Sequence, residues 1–280
     1  MTHDPAMTDP TMLTRPTTDP TRIPASIADP TAPMIELRGV CKRFGGQQVL
    51  DGATLSIARA QTTVIIGRSG AGKSVVLKHI VGLLQPDAGE IVVEGDRLAS
   101  LTRDDLYRVR RKLGYVFQGA ALFDSLTVSE NVGLGLVHHS TLSRRDITAR
   151  VSEKLALVGL EGVERQYPAE LSGGMRKRVG VARAIAMDPA IVLYDEPTTG
   201  LDPIMSDVIN ELILHLQHKL GITSVVVTHD MTSAYKVGTQ VAMLYNGAII
   251  FQGTPDAVKS TENPYVRQFI EGRADGPIRL

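Results

Sequence analysis

The sequence has few aromatic residues and almost no cysteine. It contains no tryptophan, aromatic residues make up 4% of the chain, and Cys41 is its one cysteine, which excludes an intrachain disulfide. The core must therefore be built from aliphatic side chains, and a hydrophobic content of 43% in 280 residues supplies enough of them. A single cysteine is typical of a protein in a reducing compartment.

The sequence also lacks an excess of either charge. Lysine and arginine number 30, aspartate and glutamate also number 30, and the formal net charge is zero. Proteins that bind nucleic acid usually have a basic excess or a clustered basic stripe. The tight basic run at residues 176–178 is interpreted as a solvated helix face. We therefore expect no nucleic-acid partner.

Long apolar runs are missing as well. No stretch approaches the roughly 18 apolar residues that a transmembrane helix needs, so a membrane role is expected to be peripheral and to depend on a partner. Residues 1–33 repeat Asp-Pro and threonine, a composition that blocks helices and offers little to a core. We predict that this extension is disordered, and that it is neither a secretory signal nor a transit peptide.

From Met34 onward, strand patterns alternate with helix patterns, which predicts an α/β fold with a mostly parallel sheet. A helical insert is expected at roughly 101–186, with Ser143 capping one of its helices. The periodicity predicts strands at 63–66, 91–93, 191–194 and 225–227, helices at 73–84 and 203–220, and a hairpin at 241–251 that turns at Asn246-Gly247.

A glycine-rich loop joins the predicted strand 63–66 to the helix that follows it. Its glycines let the backbone point successive N–H groups at phosphate oxygens, and the helix directs its positive end at the same anion. Lys73 is expected to reach the β- and γ-phosphates of ATP and to assist catalysis, and Ser74 to ligate Mg²⁺. The alternative is an ordinary glycine-rich turn. The P-loop pattern G-x-x-x-x-G-K-[ST] is matched by Gly67, Arg68, Ser69, Gly70, Ala71, Gly72, Lys73 and Ser74.

Two carboxylates follow the predicted strand 191–194, at the edge of a parallel sheet where ligands bind. Asp195 is expected to hold Mg²⁺, directly or through water, and Glu196 to orient and polarise the attacking water. A strand that merely ends in solvated acids is the alternative. The P-loop upstream favours an ATPase.

Residues 171–175, Leu-Ser-Gly-Gly-Met, open another helix with a serine and two glycines that form an anion seat. Here the chain resembles the ATP-binding cassette (ABC) family, whose signature is typically LSGGQ. The resemblance implies that Ser172, Gly173 and Gly174 close over ATP held by the P-loop of a second copy, so a homodimer is expected. It also implies a P-loop NTPase core with a RecA-like sheet, an antiparallel β subdomain and the helical insert, within an ABC domain at 34–280 that ends in a tail at 255–280.

Four further positions match motifs of the same family. Phe44 lies where an aromatic residue stacks on adenine, although a core role for Phe44 is an alternative. Gln118 follows a predicted strand at 114–117 and matches the glutamine that senses Mg²⁺ and water. Asp202 lies in the loop that runs across the dimer interface at the nucleotide. His229 matches the switch histidine that contacts the γ-phosphate. The resemblance thus implies catalytic roles for Gln118 and His229 beside Glu196.

Within the family, the chain most resembles the ATPase subunits of Mla-type transporters. This resemblance depends on Met175 and on the stretches 117–128 and 269–278. It implies phospholipid transport with integral membrane permease subunits, an Mce-type substrate-binding protein and a small STAS-type regulatory subunit. The cassette would then lie peripherally on the cytoplasmic face of the inner membrane.

Three other functions remain open at this point. The chain could be the ATPase subunit of an ABC transporter for another substrate, such as an amino acid or an ion. A soluble ABC ATPase of translation or DNA repair is less well supported, because such proteins usually have tandem cassettes or long coiled-coil inserts. A nucleotide-bound scaffold without turnover is disfavoured by the intact set of Lys73, Asp195, Glu196 and His229.

Overall fold

The computed structural model describes residues 32–279, so the predicted disorder of residues 1–31 lies outside the described residues. The strands are β1 Ile35–Phe44, β2 Gln47–Ile57, β3 Thr62–Ile66, β4 Ala88–Val93, β5 Asp96–Arg97, β6 Leu113–Val116, β7 Ile191–Asp195, β8 Thr223–Thr228, β9 Gln240–Tyr245 and β10 Ala248–Gly253. The helices are α1 Lys73–Ile80, α2 Arg103–Arg111, α3 Val128–His139, α4 Arg144–Leu157, α5 Gly173–Ile185, α6 Pro203–Leu220, α7 Met231–Val237, α8 Pro255–Ser260 and α9 Pro264–Glu271. Among residues 32–279, no helix combines the length and the apolar character needed to cross a bilayer.

The strands form two sheets. The larger has the order β10-β9-β3-β8-β7-β6 and is parallel except for β10, which pairs with β9 as the predicted hairpin. The smaller has the order β2-β1-β4-β5 and is antiparallel. The predicted α/β fold with an additional antiparallel subdomain is therefore confirmed.

The parallel sheet is buried on both of its faces. All five residues of β3 are buried, and because side chains alternate along a strand, Val64 and Ile66 enter one hydrophobic core while Ile65 enters the other. In register, Ile66 of β3 pairs with Thr228 of β8, and Val227 pairs with Asp195 of β7. The carboxyl ends of three neighbouring strands thus meet at one edge, where loops can build a ligand site.

Two predicted boundaries differ from the structure. The segment 101–186 contains four helices, but β6 within it pairs with β7 and belongs to the parallel sheet. The helix predicted to reach residue 84 ends at Ile80, because Gly82 adopts a φ of 68° that an α-helix cannot contain. The predicted cap is confirmed: the Ser143 side chain accepts a hydrogen bond from the Asp146 N–H at the start of α4.

The C-terminal tail is held by one buried side chain. Gln268 of α9 donates through Nε2 to the Ile278 carbonyl at 3.1 Å, and its Oε1 accepts from the Ile278 N–H at 2.7 Å. Ile278 itself is buried in the core. Gln268 therefore pairs two backbone groups that would otherwise be buried without partners.

Replacing Gln268 by leucine should lower the free energy of unfolding by about 2 kcal/mol, because both Ile278 groups lose their partner while buried. Denaturant unfolding followed by circular dichroism measures this. Gln252→Leu is the matched control, since Gln252 donates to the Ser56 carbonyl at an exposed position and should change stability by less than about 0.5 kcal/mol. An equal loss of unfolding free energy in the two variants would contradict the role assigned to Gln268.

Candidate functional site

The loop between β3 and α1 adopts a conformation that needs glycine at two positions. A Cβ on Gly67 would lie 2.5 Å from the Leu244 carbonyl oxygen, so only glycine fits against the neighbouring strand β9. Gly72 precedes α1 with φ 98°, in the left-handed region. The loop can therefore curl tightly and lead directly into the N-terminus of α1, the arrangement that binds anions.

Lys73, the first residue of α1, is buried with 6% of its surface exposed. Its ammonium donates to the Gly67 carbonyl at 2.8 Å and to the Arg68 carbonyl at 3.1 Å. It also lies 3.4 Å from Glu196 Oε1. The cation is thus folded back onto its own loop and one acid, at the position from which it can turn to a phosphate.

Asp195, the last residue of β7, has a hydroxyl partner on each carboxylate oxygen. Ser74 Oγ donates to Oδ1 at 2.8 Å, and the Tyr115 hydroxyl donates to Oδ2 at 3.0 Å. Burial, followed by the charge of Asp195, raises the pKa of Tyr115 well above its ordinary value, so Tyr115 remains a donor. The serine hydroxyl and the carboxylate together provide oxygen ligands of the kind that Mg²⁺ prefers.

Glu196 lies between the lysine and the histidine predicted for the site. Its Oε2 is 2.9 Å from His229 Nδ1 and accepts from Thr199 Oγ1 at 3.1 Å, while Lys73 is close to the other oxygen. The backbone of Glu196 has φ 48°, which is unusual for a residue with a side chain and is typical of functional positions. Its carboxylate is 11% exposed, so it faces the cleft with little access to bulk water.

These groups line a cleft of about 520 Å³, within the range of sites that bind small molecules. Sequence reasoning did not single out Gln47, Val49 and Val75, which also contribute to the walls. The predicted site residues that line the cleft are Ser69, Gly70, Gly72, Lys73, Ser74, Gln118, Glu196 and His229. A cation, a helix N-terminus, one carboxylate and a histidine thus converge in the cleft, and Asp195 lies beside it, joined to Ser74 by a hydrogen bond. Together these groups can bind a polyphosphate and a metal and activate water.

Ser172 of the signature segment lies outside this cleft. Ser172 caps α5, its Oγ accepting from the Met175 N–H at 3.2 Å, and both Ser172 and Gly173 are exposed. Gly174 is buried, and a Cβ there would lie 2.3 Å from the terminal methyl of Met205. Within residues 32–279, none of the three predicted signature residues lines the cleft of the same chain.

Six other predicted residues also lie outside this cleft wall: Phe44, Gly67, Arg68, Ala71, Asp195 and Asp202. Asp202 caps α6, and its Oδ1 accepts from the Ile204 and Met205 N–H groups, each at 3.0 Å. Arg68 donates to the Arg279 carbonyl of the tail at 2.6 Å. Phe44 is 43% exposed at the end of β1, so the alternative of a core role for Phe44 is wrong.

The interpretation of residues 176–178 as a solvated helix face is wrong for the buried Lys177, whereas Arg178 is half-buried and Arg176 is exposed. Lys177 is 8% exposed, and all three side chains donate to backbone carbonyls. Helical spacing in the sequence could have predicted the burial of Lys177, because Lys177 falls on the buried face of α5 with Gly174 and Val181. Tyr115 and Thr199 were missed as well, and no motif of the sequence marks either of them.

Comparison with known proteins agrees with this geometry. The model of the family described as ABC transporter matches residues 50–199. The "Probable ribonucleotide transport ATP-binding protein mkl" of Mycobacterium tuberculosis is 39% identical over 251 residues, covering 90% of this chain and 70% of the relative. "Protein TRIGALACTOSYLDIACYLGLYCEROL 3, chloroplastic" of Arabidopsis thaliana is 42% identical over 262 residues, covering 88% of this chain and 76% of the relative.

Two further similarities bear on cargo and assembly. The "Intermembrane phospholipid transport system ATP-binding protein MlaF" of Escherichia coli is 38% identical over 247 residues, covering 88% of this chain and 92% of the relative. The dimeric structure of the ATP-binding cassette MJ0796 in a post-hydrolysis state, bound to ADP and Pi, superposes with a TM-score of 0.73. It is 34% identical, and the match covers 79% of this chain and 99% of that one.

Proposed function

This chain belongs to the ABC transporter family of ATP-binding cassettes, and from that premise we propose that it energises phospholipid transport as one half of a homodimer. The chain binds and hydrolyses ATP, as its family does. The observation that carries the proposal is the meeting of Lys73, Ser74, Asp195, Glu196 and His229 in and beside one cleft.

Nucleotide binding begins with the exchange of partners at Lys73. Its ammonium is held by two carbonyls and by Glu196, and the β- and γ-phosphates would replace these weaker partners. The triphosphate would lie in the curl of residues 67–74 at the N-terminus of α1. The Phe44 ring is exposed, with the Lys42 ammonium 5.6 Å from its centroid, and would stack on adenine.

Mg²⁺ fits the oxygen ligands at the carboxyl end of β7. Ser74 and Asp195, already joined by a hydrogen bond of 2.8 Å, would hold the ion, with Gln118 on the same cleft wall as a further ligand. The ion held there would neutralise part of the negative charge of the triphosphate. Tyr115 would keep the Asp195 carboxylate correctly oriented from behind.

Glu196 and His229 are the residues we assign to the attacking water. The Glu196 carboxylate can accept the proton of a water that lies in line with the γ-phosphate. His229 lies 2.9 Å from Glu196 and is half exposed toward the cleft, so it can contact both the carboxylate and the terminal phosphate. Thr199 donates to the same carboxylate oxygen and limits its rotation.

The signature segment would complete the site of a second chain. Ser172 is exposed and does not line the cleft of its own chain, so its helix N-terminus is free to contact a phosphate held by a partner. The dimeric structure of the 34% identical cassette supports this arrangement. Asp202 caps α6 in the loop expected at the same interface.

Phospholipid is the cargo that we propose. The name of the E. coli relative refers to intermembrane phospholipid transport, and that of the Arabidopsis relative refers to a glycerolipid. The mycobacterial relative, whose name refers to ribonucleotide transport, makes a ribonucleotide the second candidate. The partners we propose are membrane permease subunits, an Mce-type protein and a STAS-type regulator, with the cassette on the cytoplasmic face of the inner membrane.

The complex should be purified from membranes through a tag on this chain and its partners identified by mass spectrometry. After reconstitution in liposomes, we expect phosphatidylethanolamine or phosphatidylglycerol to raise the ATPase rate, and a ribonucleoside monophosphate to leave it unchanged. The matched control is the complex with Glu196→Gln, which should bind the same partners without lipid movement. Stimulation by the monophosphate alone would identify a ribonucleotide as the cargo. A complex without ATP turnover would contradict the whole proposal.

A further inference from the structure

Lys177 is a buried cation on the signature helix α5. Burying an ammonium is unfavourable unless it is hydrogen-bonded and paired with opposite charge. Lys177 is nevertheless 8% exposed, between the helical segment and the end of the parallel sheet. Its position therefore calls for an explanation beyond packing.

The ammonium of Lys177 joins two segments of the nucleotide site. It donates to the backbone carbonyl of Gln118 and, at 3.4 Å, to the backbone carbonyl of Glu196. Gln118 and Glu196 are 78 positions apart in the chain, and both line the cleft. A single side chain thus holds the backbone of both cleft residues from behind.

The acids of the site supply the opposite charge. Burial lowers the pKa of Lys177, while the Glu196 and Asp195 carboxylates raise it. The net shift is downward, so these carboxylates only partly offset the cost of burying the ammonium.

The contact at Glu196 bears on the orientation of its side chain. The backbone of Glu196 is held in a left-handed conformation with φ 48°, which surrounding contacts must maintain. Its N–H donates to the Val227 carbonyl at 2.9 Å, and its carbonyl accepts from Lys177. The Thr199 N–H donates to the same carbonyl at 3.3 Å. Lys177 is thus one of three groups that hold the peptide units from which the Glu196 carboxylate projects.

Helix α5 links this contact to the signature serine. Ser172 caps the helix, and Lys177 follows five residues later, about 7.5 Å along a rigid helix. A displacement of the helix N-terminus is therefore passed directly to the Lys177 ammonium.

We propose that Lys177 is a positioning residue that couples the signature helix to Gln118 and Glu196 of the same chain. Seating Ser172 on the nucleotide of the partner subunit then sets the Glu196 carboxylate for hydrolysis at the chain's own nucleotide. This inference rests on the proposed function, because it assumes ATP turnover in a dimer. It adds a connection between the two composite sites.

Lys177→Met tests the proposal, because methionine fills similar space without charge or donor. We expect kcat for ATP hydrolysis to fall about tenfold or more, as charge-assisted hydrogen bonds are lost, while the Kd for a fluorescent ATP analogue stays within about twofold. Lys177→Arg, which keeps the charge and the donors, should restore part of kcat. The melting temperature should stay within about 4 °C of the wild type.

Arg178→Met is the matched control. Arg178 is the next residue of α5 and also donates to backbone carbonyls, those of Val158 and Gly159, but within the helical segment. It should retain kcat within about twofold, since it holds no residue of the cleft. An equal loss of kcat in the two variants would show that Lys177 only seats the helix and would overturn the proposal.

Three other results also decide the question. A normal kcat in Lys177→Met, with an active wild type, refutes the role of Lys177 and leaves the proposed function intact. A wild type without ATPase activity refutes the proposed function instead. If Lys177→Met does not fold, Lys177→Ala replaces it, since alanine removes both charge and donor and favours a helix, and a kcat equal to wild type in that variant refutes the proposal.

Discussion

Glu196→Gln abolishes ATP turnover while ATP binding persists: this is the largest effect that we expect from a single substitution. The amide has nearly the same shape as the carboxylate but cannot take a proton from water, so kcat should fall by about a hundredfold or more. The carboxylate also lies 3.4 Å from the Lys73 ammonium, for which it competes with phosphate. Its neutralisation should therefore leave ATP affinity unchanged or raise it.

The same substitution should accumulate the closed dimer. Because the proposed site is complete only when two chains meet over ATP, hydrolysis requires the dimer and ends it. Glu196→Gln with Mg-ATP should therefore elute as a dimer, and the wild type should return to monomer as ATP is consumed. Phosphate release and light scattering after size exclusion measure the two effects. Glu211→Gln is the control: Glu211 is exposed on α6 and paired with Lys236 at 2.7 Å, so its loss should not change turnover. Wild-type turnover in Glu196→Gln would refute the role assigned to this carboxylate.

The parts of the site that the sequence predicted are those encoded in contiguous motifs. The loop 67–74 and the pair Asp195-Glu196 each combine a strand, a turn and charged residues within a few positions, and the parallel sheet brings the strand ends together. That is why Ser74 meets Asp195 across 121 positions of sequence. The α/β fold was predictable for the same reason, since alternating strands and helices leave few topologies.

The parts that the sequence did not predict depend on strand order and helix orientation. Tyr115 reaches Asp195 only because β6 lies beside β7, and β6 occurs within the segment expected to be a helical insert. Lys177 was interpreted as solvated because basic runs usually are, although its helix turns it inward. Both contacts link residues that no local pattern relates.

Mixing two inactive variants gives the strongest test of the composite site. Lys73→Ala removes the phosphate-binding cation of one half-site, and Ser172→Arg blocks the signature of the other with a bulky cation. Ser172 is exposed, so the larger side chain can be accommodated without unfolding, at the cost of a helix cap worth about 1 kcal/mol. Each variant alone should hydrolyse little ATP.

In a mixed dimer, one nucleotide would meet the intact Lys73 of the Ser172→Arg chain and the intact Ser172 of the Lys73→Ala chain. Equal mixing should thus recover about a quarter of wild-type activity at most, because half of the dimers are mixed and each has one intact site. The control places both substitutions on one chain and mixes it with wild type, so that no mixed dimer contains an intact site. The wild-type dimers in this control, a quarter of the total, should keep about a quarter of the activity. If each site were built within one chain, the two single variants would not complement, and the control would keep about half of the activity. Since Ser172 does not line the cleft of its own chain, we expect the first pattern.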